Sequence, residues 1–210
     1  MKKLKLVYSL IGTFFISFAV SFFRLADFGT DPYTTFNLGA SGFLNIGFGL
    51  FIMITSLIAL ILIYFDNRAL VGIGTLFNIF IVGNFSDITV NLYNSYFTSP
   101  DGLLIRIIFS ILGLFFISSG VALYTEAKEG VAPYDAFPII LTEKANGRWT
   151  YGTSRVIIDV SFSIIGFLFG ATLGVNTLIT AFLLGPIIQF FRKIFQKDLE
   201  TRMLRYSTKK

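Results

Sequence analysis

Apolar residues in this chain fall in long unbroken runs, not in the one-sided or alternating patterns that soluble helices and strands leave. An α-helix needs about 20 largely apolar residues to cross a bilayer. Six stretches qualify: Leu6–Phe23, Gly47–Phe65, Leu70–Leu92, Leu103–Tyr124, Arg155–Leu173 and Val175–Phe195. Two further segments, Asp31–Leu44 and Ala132–Leu141, are too short to cross. The order span, short segment, span, span therefore occurs twice. The predicted fold class is an all-α membrane protein with six transmembrane helices and one short interrupted, re-entrant or interfacial helix in each half.

The two halves also match in sequence. At an offset of 101 residues, Gly12-Thr13-Phe14-Phe15-Ile16-Ser17 falls on Gly113-Leu114-Phe115-Phe116-Ile117-Ser118, and Gly29 to Phe36 falls on Gly130 to Phe137. With a drift of one or two residues, Phe48-Gly49 falls on Tyr151-Gly152, and Gly72, Thr75, Leu76, Phe80 and Gly83 fall on Gly174, Thr177, Leu178, Phe182 and Gly185. Shared Phe and Leu mean little between apolar helices. Shared Gly, Pro and Thr in one order mark a duplication. The chain reads as a single membrane domain, 1–210, made of repeat 1 (about 5–92), repeat 2 (about 103–196) and a basic tail (197–210). Three spans per half force the second copy to insert the other way up, so the repeat is expected to be inverted. Lysine and arginine positions agree. With the N-terminus in the cytoplasm, 15 of the 17 basic residues lie on cytoplasmic segments or helix ends, leaving Arg24 and Arg106 outside. Both termini are thus expected in the cytoplasm. The basic start Met1-Lys2-Lys3-Leu4-Lys5 resembles that of a signal peptide, but no small-residue cleavage site follows and the first span has a mid-chain counterpart, so it reads as a retained span.

Composition narrows the chemistry. Apolar residues make up 54% of the chain and charged ones 14%, with mean hydropathy +0.76. That leaves too little polar surface for a soluble domain, and the lipid bilayer is the expected partner. Cys and His are both absent, which removes thiolate and imidazole chemistry and most transition-metal ligands. No catalytic residue, metal or cofactor is expected. The basic residues sit at the ends and in loops, which is a topology signal and not a nucleic-acid footprint.

The candidate site rests on a paired motif, Gly-x-x-Pro-Tyr-x-x-Phe: Gly29, Pro32, Tyr33 and Phe36, then Gly130, Pro133, Tyr134 and Phe137. Proline suits the first helical position, where its missing N–H needs no partner, and Asp31 stands where an N-cap carboxylate belongs. Each motif is expected to start a short helix. If both dip inward, their N-termini face a central site and suit an anionic or hydrogen-bonding solute. If they lie flat, Tyr33 and Tyr134 are interfacial anchors. Asp135 follows the second motif directly. Asp159 lies inside a span, where a carboxylate is costly, and reads as a wet site or as an i,i+4 partner of Arg155. Asn78, Asn84, Asp87, Asn176 and Gln189 can line a path or bond across helices. Gly72, Gly74, Gly83, Gly166, Gly170, Gly174 and Gly185 are expected at close backbone approaches. The substrate-binding candidates are therefore Gly29, Asp31, Pro32, Tyr33, Gly130, Pro133, Tyr134, Asp135, Asp159, Asn78 and Asn176.

The duplicated Gly-x-x-Pro-Tyr motif with its following Phe, in a chain of this length and span pattern, resembles the bacterial YczE-like membrane proteins, relatives of the YitT group. The resemblance covers essentially the whole chain, although Ala132 stands where the first copy has Asp31. It implies a bacterial cytoplasmic membrane and an ill-defined activity, with transport among the possibilities. The leading expectation is a small transporter or channel for an unidentified small solute, its site between the halves. The alternatives are a substrate-capturing subunit that relies on a separate ATP-driven module, and a scaffold or accessory protein in a homo-oligomer or membrane complex.

Overall fold

Backbone polar groups find no water in a bilayer core, so a chain this apolar must satisfy them within helices. The computed structural model describes residues 2–97, 100 and 102–207, with residue 200 and residues 202–207 described by backbone alone. These residues form eight α-helices and no strand: α1 (Lys2–Ala26), α2 (Pro32–Phe43), α3 (Phe48–Asp66), α4 (Ile73–Tyr96), α5 (Leu103–Ala127), α6 (Pro133–Lys144), α7 (Tyr151–Leu168) and α8 (Val175–Ser207). A 3-10 turn, Arg68–Leu70, joins α3 to α4. Six helices, all but α2 and α6, are long and apolar enough to cross a membrane. The last three residues of the expected basic tail lie outside the described residues.

Helix ends follow local chemistry. Asp31 caps α2 by accepting the Thr34 N–H at 3.1 Å, with Pro32 next in the chain, while Ala132 gives α6 no side-chain cap. The fifth expected span, Arg155–Leu173, is corrected at both ends. Thr150 caps the helix start by accepting from Thr153 N, and the helix stops at Leu168. Gly170, at φ +94°, turns the chain there, with Gly170 N donating to Phe167 O and Ala171 N to Gly166 O. That double bond pattern closes a helix C-terminus and frees the last residues from the span.

Helices α1 and α5 form the central pair. Gly12 meets α5 so closely that a Cβ there would lie 2.7 Å from both Gly120 O and Tyr124 N, and a Cβ on Gly113 would lie 2.6 Å from the Phe23 ring. Gly12 and Gly113 are repeat equivalents, as are Phe23 and Tyr124, so each half presents the same contact to the other. The exchange recurs at the motif loops: Gly74 N donates to Glu129 O at 2.7 Å, and Asn176 N donates to Phe28 O at 2.9 Å. Each motif is thus held by the last long helix of the opposite half.

Tyr8 bonds Asp198, Arg192 pairs with Glu126 and Lys144 with Asp66 at one end of the bundle. At the other end Arg24 pairs with Asp87 at 2.7 Å and Arg106 with Asp27 at 3.3 Å. Large apolar side chains such as Ile58, Leu62, Leu168 and Leu178 stand more than half exposed, a surface suited to lipid.

Candidate functional site

A cavity of about 690 Å³ opens between the two halves, within the size range of small-molecule sites. Ile16, Val20 and Ile117 of the central pair form part of its apolar wall, joined by Ile52 of α3 and Ile79 of α4. The motif helices supply the polar part. Tyr33 of α2 and Tyr134 of α6 stack with ring centroids 4.9 Å apart and planes at 18°, so the two motifs meet face to face. One residue of α7, Phe162, contacts all four motif aromatics, with centroids 5.1 Å from Phe36, 5.3 Å from Tyr134, 5.9 Å from Tyr33 and 6.0 Å from Phe137. The interfacial alternative for the two tyrosines fails because Tyr134 is 7% exposed and Tyr33 is packed against the core.

Each tyrosine has its own polar environment. The Tyr33 hydroxyl shares hydrogen bonds with Ser56 at 2.9 Å and Thr55 at 3.2 Å on α3; Thr55 donates to Asn37, whose amide donates to Tyr33 O. Tyr134 instead donates to Asp159. Arg155 lies over the Tyr134 ring at 4.8 Å, and it bonds Asp135 at 2.5 Å and Asp159 at 3.1 Å. The second half therefore carries an ionic cluster where the first carries hydroxyls and an amide. Burying one guanidinium between two carboxylates is sustainable only with such complete pairing.

Of the sequence candidates, Asp31, Pro32, Tyr33, Gly130, Tyr134, Asp135, Asp159 and Asn78 border the cavity. Gly29, Pro133 and Asn176 lie behind its wall. Asn176 is structural: its amide donates to Gly29 O at 3.2 Å and Ser110 Oγ at 3.1 Å. Gly29, at φ +82°, leaves no room for a Cβ against Gly174. Asn84 turns its amide back to Phe80 O, and Asp87 pairs with Arg24 and accepts Gly49 N; Gln189 does border the cavity. Gly72, Gly74, Gly83, Gly166 and Gly174 sit at close approaches, but Gly170 and Gly185 have open space where a Cβ would go. Gly170 serves the α7 stop, and Gly185 borders the cavity.

The expectation of exposed, positive helix N-termini changes here. Asp31 already accepts from the first turn of α2, and Asp135 occupies the first turn of α6. A carboxylate therefore stands at each helix start, and the wall carries three carboxylates and three cations where bare positive helix ends for an anionic or hydrogen-bonding solute were expected. Three contributors had no sequence signal: Phe162, one of 26 phenylalanines; Tyr124, which borders the cavity from α5; and the 20-residue reach from Arg155 to Asp135.

Residues 3–193 match the model of a family of unknown function, DUF6198. The chain belongs to that family. An uncharacterized protein of Haemophilus influenzae is 27% identical over 173 residues, 82% of this chain and 76% of its own. The uncharacterized protein YyaS of Bacillus subtilis is 26% identical over 92% of this chain and 95% of its own. The uncharacterized membrane protein YczE of the same organism is 30% identical over 124 residues, 59% of this chain and 55% of its own. The YczE-like resemblance read from the doubled motif is thereby borne out, as is a multi-pass membrane protein. No solved structure matches the chain.

Proposed function

We propose that the protein is a small transporter whose solute site is the cavity between two inversely inserted halves. The observation that carries this reading is the meeting of the two Gly-x-x-Pro-Tyr motifs at stacked Tyr33 and Tyr134, on the wall of a roomy, partly polar cavity. Paired interrupted segments at the junction of related halves are how many transporters build a binding site. The exchanged contacts at Glu129 and Phe28 support the inversion, since they pair each motif with the helix start that the opposite half places at the same end.

With both termini cytoplasmic, the ion pair Arg192–Glu126 lies on the inner side and Arg24–Asp87 on the outer side. These two pairs then act as inner and outer latches. Opening either one exposes the cavity to that side alone, which is the requirement for alternating access.

Asn78 and Thr180 are repeat equivalents that both border the cavity, and the chain has no native cysteine. In Asn78→Cys and Thr180→Cys variants, membrane-impermeant thiol reagents should label each site from either face, and labelling at one face should block the other. Labelling from a single face under every condition would sink the transport reading.

A further inference from the structure

Three side-chain polar atoms are buried without a hydrogen-bond partner among the described residues, and two of them belong to the cavity wall: Asp31 Oδ2 and the Tyr124 hydroxyl. A buried polar group left unsatisfied costs about 1–3 kcal/mol, more when charged, and functional sites are where such groups persist. Tyr124 is 3% exposed and borders the cavity. Asp31 keeps one oxygen on Thr34 N–H and holds the other without a donor. The terminal torsion of a carboxylate is broad, so a modest rotation can turn Oδ2 toward the cavity while Oδ1 keeps the helix cap.

The surrounding charges select the ligand. Six charged residues border the cavity: Asp31, Asp135, Asp159, Lys128, Arg155 and Arg192. Arg155 is committed to Asp135 and Asp159, and Arg192 to Glu126, while Lys128 is exposed at the α5 terminus. Asp31 is the carboxylate of this wall that no cation holds. Beyond it the wall is mainly aliphatic, with Ile16, Val20, Ile117 and Val121 supplied by the two central helices.

We infer that the cavity binds a small amphiphilic organic cation, an ammonium group donating to Asp31 and its apolar body lying along the α1–α5 wall. Tyr124 accepts a second donor or donates to a ligand oxygen. This assignment rests on the transport reading for its purpose but not for its chemistry.

The full chain in lipid nanodiscs should bind phenethylammonium at least about tenfold more tightly than 3-phenylpropanoate or 3-phenylpropan-1-ol, which share its ring and differ in charge. Asp31→Asn keeps a helix-capping oxygen and should weaken phenethylammonium binding at least about tenfold. Tyr124→Phe, which removes only the hydroxyl, should weaken it by a smaller factor, and it supplies the test if the Asp31 variant fails to fold. Equal or tighter binding of the carboxylate or alcohol, no binding of phenethylammonium, or unchanged binding by both variants overturns the cation assignment. The two-sided labelling of Asn78→Cys and Thr180→Cys is independent of any ligand. A failed cation assignment with two-sided labelling therefore leaves transport standing, and one-sided labelling with tight amine binding removes transport alone.

Discussion

Arg155 is the residue on which the second half of the cavity depends. It touches two carboxylates and an aromatic face, and its removal leaves Asp135 and Asp159 facing each other without a cation. Breaking a buried pair from one side costs about 3–5 kcal/mol. Arg155 and Asp135 are each about a quarter exposed, so Arg155→Met should sit at the low end, about 3 kcal/mol, in thermal unfolding of the purified protein. Asp159→Asn leaves Arg155 on Asp135 and still offers Tyr134 an acceptor, so its loss should be clearly smaller. Asp31→Ala removes the α2 cap and should cost about 1 kcal/mol, which Asp31→Asn avoids. The cap and the i,i+4 pairing of Arg155 with Asp159 were legible because both are local. Asp135 was legible as a candidate but not as the partner of Arg155, and Phe162 was invisible, because long-range partners depend on how α6 and α7 pack.

Among elements, the loops before α2 and α6 are among the close approaches of the fold. Gly130 has φ +111°, and a Cβ there would lie 2.5 Å from Gly72 N and Thr75 Oγ1. Gly170 has a similar φ of +94° but open space around it. Alanine at Gly170 pays only for backbone conformation, about 1 kcal/mol, whereas alanine at Gly130 must also push apart two halves. Gly130→Ala should therefore be the less stable variant by about 1–3 kcal/mol on the same unfolding assay. All six spans and both short helices were legible from apolar runs and from proline, since length and helix-start chemistry are sequence-local. The end of α7 was not, because the residues after Leu168 are as apolar as those before it. Only the left-handed turn at Gly170 shows where the helix stops.

Across the whole molecule, the ion pairs away from the Arg155 cluster gather toward the two ends of the bundle. The two basic residues that depart from the positive-inside pattern, Arg24 and Arg106, are both paired with aspartates and both lie over rings, Phe48 at 4.4 Å and Phe28 at 4.2 Å. If Arg24–Asp87 is a latch, Asp87→Asn should raise labelling of Asn78→Cys from the outer face and leave the inner rate unchanged. A Glu126→Gln variant should do the reverse. The correspondence between the halves was read from glycine and threonine order, but the crossing of contacts between them was not legible, since offset says which residues correspond and nothing about which ones touch.

That crossing sets an order on biogenesis. The carbonyl of Glu129 meets Gly74, which the ribosome has already delivered, so the second motif can close as soon as it emerges. The carbonyls of Phe28 and Gly29 meet Asn176, which arrives nearly 150 residues later. Two loops alike in sequence and contact thus mature at opposite ends of translation. The first keeps its acceptors without these partners until the final helix is made and supplies them.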